Sequence, residues 1–314
     1  MTTVLVTGGA GFIGSQLADR LLAEGHRVVS VDDLSTGRIA NLVDARGYGK
    51  EFSFFNMDVR SDGMMALFER HRPEVVFHLA AQSGVRPSLE DPVHDASVNI
   101  MGLLNVLEAT VHVGGRKVIY AASGGTMYGE PRRLPVKETA AQGSRPLSPY
   151  GVSKKVGVDY LGFYQRYRGL DFTALALGNV YGPRQDPTGE AGVIAIFASK
   201  MLSGEAPAIF GDGNQTRDYV FIDDTVHAFV QAMDRGSGKI VNIGTGLETS
   251  VNHLYKLIAE ITGFTGEPDH GSLPSGELRR IALDISSAPS AIAWKPWTHL
   301  EDGLKETVAY LRGV

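Results

Sequence analysis

Short, nearly continuous apolar runs recur along the first half of the chain, separated by stretches whose apolar residues return at helical spacing. "TVLVT" (Thr3–Thr7), "VVSVDD" (Val28–Asp33), "FSFFNMDV" (Phe52–Val59), "EVVFHLAA" (Glu74–Ala81) and "KVIYAAS" (Lys117–Ser123) read as strands buried on both faces of a parallel sheet. Between them, Leu17, Leu21 and Leu22 share one helical face with Gly25 as a stop, "MMALFERH" is helical, and "VNIMGLLNVLEATVHV" predicts a long helix. Strand alternating with helix predicts a doubly wound α/β domain over residues 1–177.

Past residue 180 the texture changes to longer loops, "YGPRQDPTGEAG" and "GDGNQTRD", around helical patterns at "GVIAIFASKMLSG" and "DDTVHAFVQAM". "KIVNIG" (Lys239–Gly244) again has the character of a core strand, so the chain is expected to rejoin the first domain over about 220–248. Residues 178–219 and 249–314 are then a smaller α/β lobe. No repeat or low-complexity linker interrupts this plan.

Composition narrows the function. With 43% hydrophobic and 21% charged residues and no apolar run near the roughly 20 residues a membrane helix needs, no membrane partner is expected. "MTTVLVTGGAG" lacks a basic segment ahead of an apolar one, which predicts a cytoplasmic protein. The absence of cysteine excludes disulfides, thiolate ligands and cysteine nucleophiles. A net charge of −5 without long runs of either sign argues against nucleic acid, and the nine scattered histidines lack metal-ligand spacing, so no metal is expected.

Gly8, Gly11 and Gly14 lie between the first strand and the first helix. Glycines there let the backbone approach a pyrophosphate, whose charge is received by the unpaired N–H groups of a helix start. Asp32, 18 residues beyond Gly14, ends the second strand, where a carboxylate accepts from a ribose and repels a 2′-phosphate; NAD is expected over NADP, with Arg38 weakening the preference. "SPYGVSKK" places Tyr150 and Lys154 four residues apart on one helical face. That spacing alone also suits an exposed surface pair. Beside a nicotinamide, an ammonium favours the phenolate and makes Tyr150 a base.

"TGGAGFIG", "VDDLSTG", "HLAAQSGVRPS", "SGGTMYGE", "YGVSK", "GNVYGPRQ", "GDGNQTRDYVFIDD" and "NIGTG", in this order from Thr7 to about Asp284, resemble the extended short-chain dehydrogenase/reductases. The resemblance implies a Rossmann NAD-binding domain, a UDP-sugar substrate domain and a homodimer joined through helices. NAD would be held by Gly8, Gly11, Phe12, Ile13, Asp32, Asp58, Val59, Ala80, Ala81, Gln82, Asn99, Tyr150 and Lys154. Tyr150 would be the base, Lys154 would orient the nicotinamide ribose, and Asn179, Arg184, Arg217 and Glu277 would meet the substrate.

The implied activity is NAD-dependent inversion at C4 of a UDP-sugar, interconverting UDP-glucose and UDP-galactose through a 4-keto intermediate. UDP-glucuronic acid and UDP-N-acetylglucosamine are alternatives; a 4,6-dehydratase or a non-catalytic NAD sensor stands further off. Three departures qualify the likeness. Gly124 stands where relatives carry a Ser or Thr, leaving Ser123 or Thr126 to supply a catalytic hydroxyl toward the sugar. "PSGE" (Pro274–Glu277) replaces an arginine-bearing stretch, a loss Arg279 is placed to offset, and Ile281 occupies a position that tunes access for N-acetyl sugars.

Overall fold

The computed structural model describes residues 1–131, 133–188, 192–272 and 278–313. Its centre is a seven-stranded parallel sheet. β1 (Thr3–Thr7) pairs on one side with β2 (Arg27–Asp32), which pairs with β3 (Phe52–Asn56). On the other side β1 pairs with β4 (Val75–His78), then β5 (Lys117–Ser123), β6 (Asp171–Leu177) and lastly Lys239–Ile243. Strands this apolar, with Val4, Leu5, Val6, Val28, Val75, Val76 and Phe77 almost wholly buried, need cover on both faces. Helices supply it, and two core clusters form, one on each side.

The order reverses beside β1, so the carboxyl ends of β1 and β4 diverge and open a crevice at the sheet edge. α1 (Phe12–Ala23) starts at that edge, directly after the glycine turn. The long helix expected after β4 is broken: a π-helical turn, Ser97–Met101, precedes the regular helix Gly102–His112. β3 ends at Asn56, so Asp58 and Val59 lie in the turn beyond it.

Helix Pro149–Arg168 runs from an N-cap at Ser148, whose hydroxyl accepts from Gly151 N, through Pro149 in the first turn to a left-handed Gly169. Among the remaining residues, short strand pairs join Ala208–Phe210 with Asp269–Gly271, Thr216–Arg217 with Thr249–Ser250 and Asn179–Tyr181 with Tyr219–Phe221, beside helices Val193–Leu202, Ile222–Ala232, Val251–Thr262 and Leu300–Arg312. Among the described residues no helix is long and apolar enough to cross a membrane.

Candidate active site

The glycine turn is dictated by space. Gly8 adopts φ 69°, and a Cβ there would lie 2.8 Å from Ala80 N, so β1 and the segment after β4 approach as only glycine allows. At Gly14 a Cβ would lie 2.1 Å from Gly8 O, which is why the helix can start against the turn. α1 has no side-chain cap and no acidic residue in its first turn, where Phe12 and Ile13 are half-buried. A helix start left this way favours an anion. Asp32, 7% exposed, accepts from Ala10 N (3.0 Å) and Leu34 N (2.8 Å), and burial raises its pKa. Arg38 turns away from it to pair with Asp186 at 2.9 Å.

The helix start at Ser148 carries Tyr150 and Lys154 to the carboxyl end of β5. Lys154 Nζ is buried, donates to Ala121 O at 2.9 Å, and lies 4.9 Å from the Tyr120 ring centroid and 5.7 Å from that of Tyr150. Desolvation draws its pKa down to about 8, against the opposing pull of Asp95. Tyr150 is partly exposed as a residue, yet its hydroxyl end is enclosed enough that burial pushes its pKa up to about 12; the nearby Ser123 hydroxyl works the other way. At rest the pair is therefore a phenol beside a readily perturbed ammonium.

Around them, Ser123 Oγ and Asn179 Oδ1 converge on Gly125, 4.0 and 3.8 Å from where its Cβ would stand. Among the described residues Thr126 Oγ1 is buried without a partner. Gly124 has no room for a side chain: its Cβ would meet Leu283 Cδ1 at 2.7 Å and Ala176 O at 3.0 Å. Gln82 and Asn99 lock together, Gln82 N donating to Asn99 Oδ1 (3.0 Å) and Asn99 Nδ2 to Gln82 O (2.9 Å), with Ala80 and Ala81 leading into that turn.

Other residues lie further out or have different partners. Asp58 is held below the usual carboxylate range by its hydrogen bonds with Arg60, and Val59 is buried where a Cβ on Gly102 would strike it. Arg184 donates to Asp19 (2.6 Å), Asp44 (2.8 Å), Ser15 and the Asn41 carbonyl, so its guanidinium ties the loop after Asn179–Tyr181 to α1.

Arg217 donates to Thr216 O; its neighbour Asp218 accepts from Leu283 N, Thr245 N, Thr245 Oγ1 and Gly246 N. Arg279 is exposed and pairs with Asp212, and Ile281 is 1% exposed in the core with Tyr128 and Leu283. Pro274 and Glu277 lie outside the described residues. Sequence reasoning passed over Asp95, wholly buried beside Asn99; its only signal was a position four residues earlier on a helical segment.

Comparison with known proteins gives a consistent picture. The NAD dependent epimerase/dehydratase family profile matches residues 4–244. UDP-glucose 4-epimerase of Mycolicibacterium smegmatis is 47% identical over 309 residues, covering 98% of this chain and 98% of that protein. The crystal structure of Thermotoga maritima UDP-glucose 4-epimerase with UDP-glucose is 45% identical with a TM-score of 0.95, covering 99% of each chain. That of Thermus thermophilus UDP-glucose 4-epimerase in complex with NAD is 39% identical, TM-score 0.92, covering 99% of each chain.

Proposed function

The chain belongs to the NAD dependent epimerase/dehydratase family, and from this we propose that it inverts C4 of UDP-hexoses, interconverting UDP-glucose and UDP-galactose with NAD as cofactor. The observation that carries the reading is the Ser123–Tyr150–Lys154 cluster at the end of β5, beside a glycine turn and an uncapped helix start. The turn fits NAD: the backbone of Gly8, Gly11, Phe12 and Ile13 would receive its pyrophosphate, and Asp32 the adenosine ribose. When bound, NAD supplies a hydride acceptor and a positive charge.

The protein's own part begins at Tyr150 Oη. The phenol must lose its proton to act as a base, and from a pKa near 12 the Ser123 hydroxyl and the Lys154 ammonium favour that loss. Tyr150 then removes the C4 hydroxyl proton as the sugar becomes a 4-ketone, and returns it when C4 is reduced on the opposite face. We assign the hydroxyl that meets that oxygen to Ser123, with Thr126 as the alternative. We assign residues 178–219 and 249–314 to UDP-sugar binding, with Asn179 and Arg217 toward the diphosphate and Arg184 bracing the loop. Binding energy from the nucleotide end holds the substrate while the sugar ring turns over.

We further read the chain as a cytoplasmic homodimer serving galactose metabolism. Val93, Met101, Val152, Phe163 and Tyr167 are exposed on the segments Pro92–Ala96 and Ser97–Met101 and the helix Pro149–Arg168, an apolar surface suited to a second copy. Incubating the purified protein with UDP-galactose and no added NAD tests the reading. UDP-glucose should appear on chromatography; no conversion, even with NAD supplied, would sink it.

A further inference from the structure

Asp95 is wholly buried, and proton transfer at Tyr150 makes no direct use of it. Ser153 Oγ donates to its Oδ2 at 2.6 Å, and Asn99 Nδ2 to its Oδ1 at 2.9 Å. Asn99 stands in the π-helical turn and bonds both backbone groups of Gln82; Ser153 immediately precedes Lys154. One carboxylate thus joins the loop after β4, the π turn and the helix of the catalytic pair. Each is an element to which cofactor residues are assigned.

We propose that Asp95 is a positioning residue of the epimerase reaction: the buried counter-ion that keeps Lys154 an ammonium and holds Asn99 and Gln82 in register with the helix of Tyr150. The inference rests on the NAD-dependent reading above.

The charge argument follows from what faces Lys154. From β5 come the Ala121 carbonyl and the Tyr120 ring, from its own helix the Tyr150 ring, and from β4 His78, which burial keeps neutral with a pKa of about 3. Asp95 is the anion among them. Around Asp95 itself are Ser153, Asn99, Lys154 and His94. A buried ammonium without a counter-ion gives up its proton, and Lys154 has only a small margin above neutrality. The same anion opposes ionisation of Tyr150. Removing it must therefore lower both pKa values.

The test is Asp95→Asn in the full-length holoenzyme, with kcat and KM for UDP-galactose followed across pH. Both limbs of the kcat profile should move down by about one pH unit. The optimum kcat should fall about tenfold with KM nearly unchanged, as for lost positioning. Protein stripped of cofactor should bind NAD about tenfold more weakly, measured by calorimetry. Ser153→Ala removes a hydrogen bond but keeps the charge, so it should lower kcat without moving the limbs.

A folded Asp95→Asn protein with wild-type limb positions overturns the proposal. If that variant does not fold, Ser153→Ala decides: wild-type kcat and NAD affinity overturn it, and a fall in both at unchanged limbs supports it. Wild-type turnover is measured alongside. Failure there strikes the epimerase reading, while the NAD-affinity comparison still judges Asp95.

Discussion

Ser123 sits beside the phenol of Tyr150, and its hydroxyl pulls the tyrosine pKa down against burial. Position 124 cannot take over the task, because a side chain there would press on Leu283 and the Ala176 carbonyl. Ser123→Ala removes a lowering influence, so the Tyr150 pKa must rise and the acid limb of the kcat profile move to higher pH. We expect kcat near neutrality to fall about 100-fold, within the range for assisted proton transfer. Adding Gly124→Ser should restore none of it and cost about 1–3 kcal/mol by overpacking. A pH–rate series and thermal melts on the two variants check both statements.

Arg184 separates two assignments. A residue on the substrate diphosphate would raise KM for the UDP-sugar when removed, whereas the observed ion pairs with Asp19 and Asp44 brace α1. Arg184→Ala leaves Asp19, a half-buried carboxylate already raised by burial, without its counter-ion. With both side chains partly solvated, we expect a loss of about 1–3 kcal/mol, below that of a fully buried pair. NAD retention should weaken while KM changes little. A KM increase larger than the loss of NAD retention would return Arg184 to the substrate.

The sheet was legible because its strands are buried on both faces and so are written as continuous apolar runs, and because Gly8 and Gly14 sit where a Cβ has no space. The spacing of Tyr150 and Lys154 put them on one helical face but suited an exposed pair equally, and only the glycine turn and the nicotinamide it implies pointed to a base. What the chain does not display locally is partnership across distance. Arg184 finds Asp19 and Asp44 across more than a hundred residues of chain, Asp218 collects donors from residues 245, 246 and 283, and Asp95 meets Ser153 through packing of separate helices. The break before Gly102 was likewise invisible, since "VNIMGLL" keeps a helical pattern through a π-helical turn.

His78 gives the stability a pH dependence of known sign. It is buried, bonded to Thr7 Oγ1 at 2.9 Å and stacked on Tyr120, and its pKa falls to about 3 against 6.5 for the free side chain. Between those values the unfolded chain binds a proton that the native one refuses. Its contribution to stability therefore declines as pH drops from about 6.5 toward 3, by an amount on the order of several kcal/mol. Asp32, Asp95 and Asp218, whose pKa values are raised, act in the opposite sense. The informative quantity is the difference between wild type and His78→Asn in urea unfolding at several pH values. The variant should lose less stability on acidification, and equal slopes would refute the assignment.

Replacing Tyr150 and replacing Lys154 should fail in different ways. Tyr150→Phe keeps the ring over which Lys154 lies and removes only the hydroxyl, so the fold and bound NAD should survive while kcat drops by about 100- to 10,000-fold. Lys154→Met removes the donor to Ala121 O and leaves Asp95 as a buried carboxylate without a cation. That loss should destabilise the protein by about 3–5 kcal/mol and release cofactor as well as activity. Cofactor content after acid precipitation, thermal melts and product chromatography distinguish the two. If Tyr150→Phe kept substantial turnover, the base would have to be sought elsewhere, beginning with Ser123, the other hydroxyl at the end of β5.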